Sequence, residues 1–491
     1  MALLGETPGI LFAMRLAVTL CYLATLWGTC AAARALFGRR AGLWSAALLA
    51  LVPVFFFKSI EYRADDLWAA LWVLAIAVLV GGAWTWRRSL AAGLVLGAAL
   101  SASLKTVLLL ATLALAALLT LGLAPGPRGP LLRRAAPRLA ALSAGFVVLP
   151  LLLTLYFAVQ DSLGPFFYGT VLHNVLPGLG SWSDAHSRAL FFLPGVLLIA
   201  AFVRWIAGLP HLAPDVRTRL TLVSLTALLY LLALHTLWPL FTTQDFLPFY
   251  PLLSMAAVGL ALEGWRRLMR SPAAPRVPRW AASGLALMVA TATLLIALML
   301  IWEPPRRNGT LAETRLLKEV IRLTEPADPI LDLKGETVFR LRPIYYVMET
   351  ITGARLRRGD LPERIQEQAI VTRTCVAVAD IARFPERTRR FLEDNYLRVG
   401  RLRVAGRLLP PAADPGRPIS FDVTIPSRYA IVTEHGAASG SLDGEPYAGP
   451  RLLAAGRHAF AASSGTGRLA LVWAQAIERG FSPFPPADGA S

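Results

Sequence analysis

Charged residues are what this sequence has least of. Asp, Glu, Lys and Arg make up only 16% of its 491 residues, where an ordinary soluble protein carries about 25%. Acidic residues are rarest in residues 1–302, which hold nine Asp and Glu. That scarcity excludes an ordinary soluble enzyme. The 55% hydrophobic content and mean hydropathy of +0.54 exclude a disordered chain. Cysteine is nearly missing: Cys21, Cys30 and Cys375 define no disulfide framework. Lysine is rarer than arginine, 4 against 45, and with abundant Ala and Leu this matches a GC-rich bacterial composition. In such a setting Asn308-Gly309-Thr310 reads as a chance sequon.

What the chain does have is long apolar runs. A bilayer core of roughly 30 Å needs about 20 apolar residues in a helix. Ten stretches fit: about 10–36, 42–57, 66–83, 89–104, 106–123, 138–160, 189–207, 219–238, 246–263 and 280–302. The run 89–123 is broken only at Lys105 and is read as two helices, since it far exceeds one crossing.

The net charge of +18 could point to nucleic acid, but its distribution does not. Residues 1–302 hold 22 Lys and Arg against nine acids, and residues 303–491 hold 27 against 22. The excess therefore sits in the hydrophobic part. Alternate loops carry 16 arginines, from Arg39 and Arg40 to Arg276 and Arg279. The opposite loops carry only Lys58, Arg63, Lys105 and Arg188. By the positive-inside rule the arginine-rich loops are cytoplasmic, which puts the start of the chain and residues 303–491 outside. The chain would then enter its first span from the outer side with no signal peptide, so an upstream helix is expected to be missing from this sequence.

Residues 303–410 read as an extracytoplasmic α/β region. Thr310 and Glu313 have capping-box spacing ahead of the stripe Leu316, Leu317, Val320 and Ile321. A strand at 329–332, a helical stretch through Tyr345 and Tyr346, a strand at 374–380 and a helix near 384–396 follow. Asp332 and Asp380 end strands, as ligand residues or as caps. Residues 411–491 alternate like strands, with a hairpin turn at Asp443-Gly444. The run from Leu442 to His458 resembles small extracytoplasmic β-sandwich modules of the PEGA type, and His458 reads as a strand residue after a glycine turn.

The densest polar group is Lys58-Ser59-Ile60-Glu61-Tyr62-Arg63-Ala64-Asp65-Asp66, in a very short outer loop. Charges beside a span are costly and mark function or anchoring. The carboxylates Glu61, Asp65 and Asp66 suit proton transfer from an acceptor hydroxyl, or a divalent metal with Asp65 as one ligand. Lys58, Arg63 and Lys105 suit the phosphate of a lipid carrier. The structural alternatives are helix capping by Asp65 and Asp66 and snorkelling by the cations. His235, Gln244 and Asp245 occur at the same level as a candidate acceptor region. The outer loop 161–188 adds His173, Asn174, Trp182, Asp184 and His186.

Residues 10–302 resemble GT-C membrane glycosyltransferases, the bacterial relatives of protein O-mannosyltransferases and the lipid A aminoarabinose transferase. Arg63-Ala64-Asp65 entering a span, Lys105 after a small-residue helix, and Gln244-Asp245-Phe246-Leu247-Pro248 carry the resemblance. It implies a polytopic helical membrane protein of the bacterial inner membrane with an extracytoplasmic C-terminal domain. The implied activity is inverting transfer of a sugar from a polyprenyl-phosphate donor to a lipid, protein or polysaccharide acceptor, with no nucleic-acid partner. It also implies an acidic residue in a first outer loop that this sequence lacks, leaving only Glu6 there. The alternative is a non-catalytic scaffold of this type that binds glycan or an envelope complex through its outer domain.

Overall fold

Each of the ten apolar runs has a helical counterpart in the structure. The computed structural model describes residues 5–123, 129–180, 185–207, 214–270, 285–302, 309–410, 416–463 and 467–484. The chain divides into two units, one of residues Phe12–Arg307 and one that joins Met1–Leu11 to Asn308–Ser491.

The helical unit starts with α1 (Ile10–Phe37), α2 (Arg39–Leu51) and α3 (Pro53–Lys58). Gly38 turns the chain between α1 and α2 at φ 96°, a conformation that favours a residue without Cβ. The expected span 42–57 is two helices, because Pro53 has no N–H to continue α2 yet fits the first turn of α3. Helices α4 (Ala64–Val80), α5 (Trp86–Ala102), α6 (Thr106–Leu123) and α7 (Gly129–Val159) follow. Then come α8 (Leu163–Thr170), α9 (Ala185–Ala207), α10 (Pro214–Thr236), α11 (Phe249–Arg270) and α12 (Leu285–Trp302).

Helices α5 and α7 meet backbone to backbone. A Cβ on Gly93 would lie 2.1 Å from the Leu142 carbonyl oxygen, and one on Gly97 2.4 Å from that of Phe146. Gly145 faces the Leu90 carbonyl from the other side at 2.3 Å. Close approach through small residues is how helices associate where lipid removes the hydrophobic driving force. By length and composition, Ile10–Phe37, Thr106–Leu123, Ala135–Val159 and Val216–Thr236 are able to cross a bilayer, and Leu190–Ile206 and Val289–Ile301 are shorter apolar helices. The protein is a multi-pass membrane protein.

The second unit opens with α13 (Gly309–Leu323), β1 (Ile330–Leu331), α14 (Thr350–Arg358), α15 (Ile365–Val371) and β2 (Val376–Val378). Helix α16 (Glu386–Asn395) leads to β3 (Tyr396–Val399), β4 (Leu402–Leu409), β5 (Ile419–Val423) and β6 (Ser427–Thr433). The short strands β7 (Gly436–Ala437), β8 (Gly440–Leu442), β9 (Glu445–Tyr447) and β10 (Arg451–Leu453) follow. Last are β11 (Gly456–Ala462), β12 (Leu469–Trp473) and α17 (Ala474–Glu478).

Strands β1 and β2 are parallel, and their sheet continues β1-β2-β4-β12-β6-β10, with β3 beside β4 and β7 beside β6. A second sheet runs β5-β11-β8-β9. Because β4 pairs with β12, the sheet crosses position 410, and one apolar core runs from Leu316 to Phe484. The Asp443-Gly444 turn joins β8 to β9 with φ of 54° and 86°, as two-residue hairpin turns require.

Three local expectations are corrected. Thr310 is inside α13 rather than its cap, since the helix already includes Gly309. Tyr345 and Tyr346 are not helical. The Asp332 carboxylate instead ties this segment into turns, accepting from the Gly335 and Thr337 N–H groups and the Thr337 hydroxyl, and Pro343 removes a helical donor. The stretch 161–188 is partly helical, with α8 and a single turn at Leu172–Asn174.

The residues before α1 are part of this second unit. The buried Arg340 guanidinium donates to the Thr324 hydroxyl at 2.7 Å, to the Thr324 carbonyl at 3.0 Å and to Glu6 at 2.8 Å.

Candidate active site

Three breaks in helix build a polar cluster inside the helical unit. In the first, α3 stops at Lys58 and the chain turns. Arg63, extended at φ −145° and ψ 156°, then starts α4. Asp65 and Asp66 fall in the first turn of α4, where free N–H groups favour negative charge. In the second, Ser103 is extended between α5 and α6, which sets Lys105 at the start of the next helix. In the third, a single turn at Thr243–Phe246 precedes α11, closed by the Asp245 carboxylate accepting from the Thr242 N–H at 2.6 Å.

These breaks meet in space. Lys58 Nζ donates to Glu61 Oε1 at 2.5 Å, and the Gln244 amide, 183 positions away, donates to Glu61 Oε2 at 2.8 Å. Arg63 Nε donates to Asp65 Oδ2 at 3.0 Å. Lys105 Nζ lies 3.5 Å from Asp65 Oδ1 and donates to Asp245 Oδ1. The cluster is graded in exposure: the Asp245 side chain is 1% exposed and Lys105 24%, while Arg63 at the rim reaches 46%. Among the described residues the Arg63 guanidinium engages through Nε alone, which leaves its terminal N–H groups at the exposed rim.

Asp66 is buried in the first turn of α4, and among the described residues neither of its carboxylate oxygens has a well-formed hydrogen bond. His235 also stands apart from the ion network. Its Nδ1 meets the Leu231 carbonyl at 2.8 Å, and its ring packs among Phe191, Phe241 and Phe246. Glu6 is in the other unit, committed to Arg340. In the stretch 161–188, the Asn174 amide bonds the Gly169 and Thr170 carbonyls at the end of α8, and His173 stacks edge-on to Tyr168. Trp182, Asp184 and the side chain of His186 lie outside the described residues.

Sequence reading missed the layer beneath the cluster. The Tyr230 hydroxyl donates to the Asp245 backbone carbonyl at 2.7 Å, and Trp68 Nε1 donates to the Thr106 hydroxyl at 2.9 Å. The Trp68 ring lies 5.8 Å from Lys105 Nζ. Trp68 had a usable signal, since it is three residues after Asp65 on the same helix face. Thr242, three before Asp245, has capping-box spacing. Tyr230 had none.

Among the described residues no three His, Cys, Asp or Glu side chains converge on a point that could hold a metal. Both Asp65 oxygens face cations, Arg63 on one side and Lys105 on the other.

The chain is thus a multi-pass membrane protein whose charged cluster is built at breaks between its helices. Residues 2–154, which carry Lys58 to Asp66 and Lys105, match the family model for dolichyl-phosphate-mannose-protein mannosyltransferase. Among solved structures, ArnT from Cupriavidus metallidurans bound to undecaprenyl phosphate is similar at 15% identity. That match covers 80% of this chain and 83% of the other, with TM-score 0.47. AglB from Archaeoglobus fulgidus, in complex with an inhibitory peptide and a dolichol-phosphate, is similar at 14% identity. There 76% of this chain and 60% of the other are covered, with TM-score 0.37. No curated protein matches the chain.

Proposed function

We propose that this protein transfers a sugar from a polyprenyl-phosphate-linked donor to an acceptor hydroxyl at the outer face of the bacterial inner membrane. The carrying observation is the cluster itself: Arg63 at its rim, Glu61 held by Lys58 and Gln244, and Lys105 clamped between Asp65 and Asp245. The family match over residues 2–154 supports the donor class.

In this reading the acceptor oxygen attacks the anomeric carbon as the bond from that carbon to the phosphate oxygen breaks, inverting the centre. The leaving phosphate gains negative charge, which the free guanidinium N–H groups of Arg63 stabilise in a partly dehydrated setting. The acceptor proton passes to Glu61, the carboxylate nearest the rim, which Lys58 and Gln244 hold in place. Asp65 orients Arg63 and Lys105. Lys105 acts first as a clamp, since two carboxylates already share its charge. Gln244 and Asp245 line the acceptor side. The outer-face assignment is supported by the loop-charge bias and by Glu6 pairing with Arg340, which puts the chain before α1 in the same unit as the residues after α12.

The test is turnover of polyprenyl-phosphate sugars by the purified full-length protein. Arg63→Ala and Asp65→Asn should each lose sugar transfer by about 100-fold or more, as removal of a charge-stabilising donor does elsewhere, while inserting normally. Wild-type rates in both variants would overturn the assignment.

A further inference from the structure

A cavity of about 310 Å³ opens where the end of α1, the start of α10 and the later turns of α11 come together. Each helix contributes an arginine to its wall: Arg34, Arg219 and Arg266. Among the described residues the one carboxylate in the wall is Glu263, 3.5 Å from Arg266. Arg219 spends one N–H on the Leu36 carbonyl at 3.0 Å, and the Arg34 side chain makes no hydrogen bond or ion pair among the described residues. Among the described residues, three guanidinium groups and one carboxylate surround a space large enough for a headgroup. The rest of the wall is apolar, including Phe37, Val216 and Leu262, and Gly259 leaves room for the Phe37 ring 3.3 Å from where a Cβ would be.

The cavity is far from the carboxylate cluster. Arg219 and Tyr230 are 11 residues apart on α10, which is about 16 Å along a helix. By the loop-charge bias this end of the helices faces the cytoplasm.

We propose that this cavity binds the phosphate of an anionic phospholipid headgroup. Guanidinium forks match phosphate oxygens in pairs, and basic pockets between membrane helices on the cytoplasmic side recognise such headgroups. The apolar wall selects a lipid over a free anion, since the glycerol and first acyl carbons need a dry surface and inorganic phosphate does not. The proposal is independent of the sugar-transfer reading.

Native mass spectrometry of the full-length protein in detergent tests it, with phosphatidylglycerol and phosphatidylcholine titrated in parallel. Wild type should retain phosphatidylglycerol preferentially. Arg34→Ala and Arg219→Ala should each cut that preference about tenfold, the loss expected for one charge-assisted hydrogen bond. Arg87→Ala and Arg138→Ala, made singly, each remove the same one charge from a ring outside the cavity, at Trp86 and Trp84, and should leave the preference intact. If Arg219→Ala fails to fold, Arg34→Ala decides, since it breaks no hydrogen bond. Four results would overturn the proposal: equal retention of the two lipids, equal loss in the control variants, lowered stability in Arg34→Ala with unchanged lipid preference, or displacement of phosphatidylglycerol by millimolar inorganic phosphate. The last would assign the cavity to the free anion.

Discussion

Replacing Lys105 by Met strands the most buried charge in the cluster. Asp245 is 1% exposed on its side chain, and its Oδ1 has Lys105 as its cation. Breaking a buried ion pair by removing one partner costs about 3–5 kcal/mol, because the remaining charge keeps its desolvation penalty and loses its compensation. Two features place this case near the lower end. Lys105 is 24% exposed, and Asp245 Oδ2 keeps its bond from the Thr242 N–H. We therefore expect Lys105→Met to destabilise the helical unit by about 3 kcal/mol. Asp245→Asn should cost less, because Lys105 retains Asp65 at 3.5 Å. In the double variant neither charge is stranded, so the two losses should fall short of their sum by more than about 1 kcal/mol. Unfolding of the full-length protein in mixed micelles with rising SDS, followed by tryptophan fluorescence, measures all four corners. Trp68 also gives a local signal, with its ring 5.8 Å from Lys105 Nζ. Lys105→Arg should restore most of the stability. Additivity within about 0.5 kcal/mol would refute the clamp, since independent sites add to that accuracy.

Gly93→Ala should destabilise α5 against α7 by about 1–3 kcal/mol through overpacking, whereas Gly122→Ala, where a Cβ meets nothing within 4 Å, should be near neutral in the same SDS titration. In the strand-rich unit, burial alone would lower the His458 pKa, but hydrogen bonds to Asp443 and the Ala454 carbonyl outweigh it and raise the pKa above 6.5. This contribution is present below pH 6.5 and is lost as pH rises through the folded value. Asp443, which His458 holds below its usual range despite partial burial, loses its own contribution as pH falls through that lowered value. Thermal unfolding followed by circular dichroism should decline on the alkaline side in wild type and stay flat in His458→Gln; parallel curves would contradict the pairing. Arg340→Met should cost about 1–3 kcal/mol by leaving the buried Thr324 hydroxyl oxygen without its donor and the Thr324 carbonyl with only Arg479 at 3.3 Å, and Glu6→Gln no more than about 1 kcal/mol. Equal losses in the two would show that the ion pair, not Thr324, is what Arg340 serves.

The membrane helices were legible because crossing a bilayer demands about 20 apolar residues whatever the fold. The break at Lys105 was legible for the same reason, since no single crossing could hold 35 residues. The cluster at Lys58 to Asp66 was legible because its charges are contiguous. Its pairing with Gln244 and Asp245 was not, because nothing local to either segment states a contact across more than 100 positions, and the span topology placed them only at the same level of the membrane. Close approach at Gly93, Gly97 and Gly145 was hidden because it depends on which helices become neighbours. The segment around Tyr345 was misread as helix because the constraint on it is the buried Asp332 carboxylate, a side-chain bond that periodicity does not register. Strand patterning located most of the β-structure but could not reveal that β4 and β12 share one sheet.

The contact between Glu6 and Arg340 fixes an order of assembly. The two residues are 334 positions apart, and at about 5–20 residues per second the ribosome delivers the second roughly 20–70 s after the first. During that interval the intervening helices insert while Glu6 waits without its cation. The segment around Glu6 thus reaches its native partner only after the helical unit has been made, and a nascent chain stalled within that unit would present Glu6 without its cation.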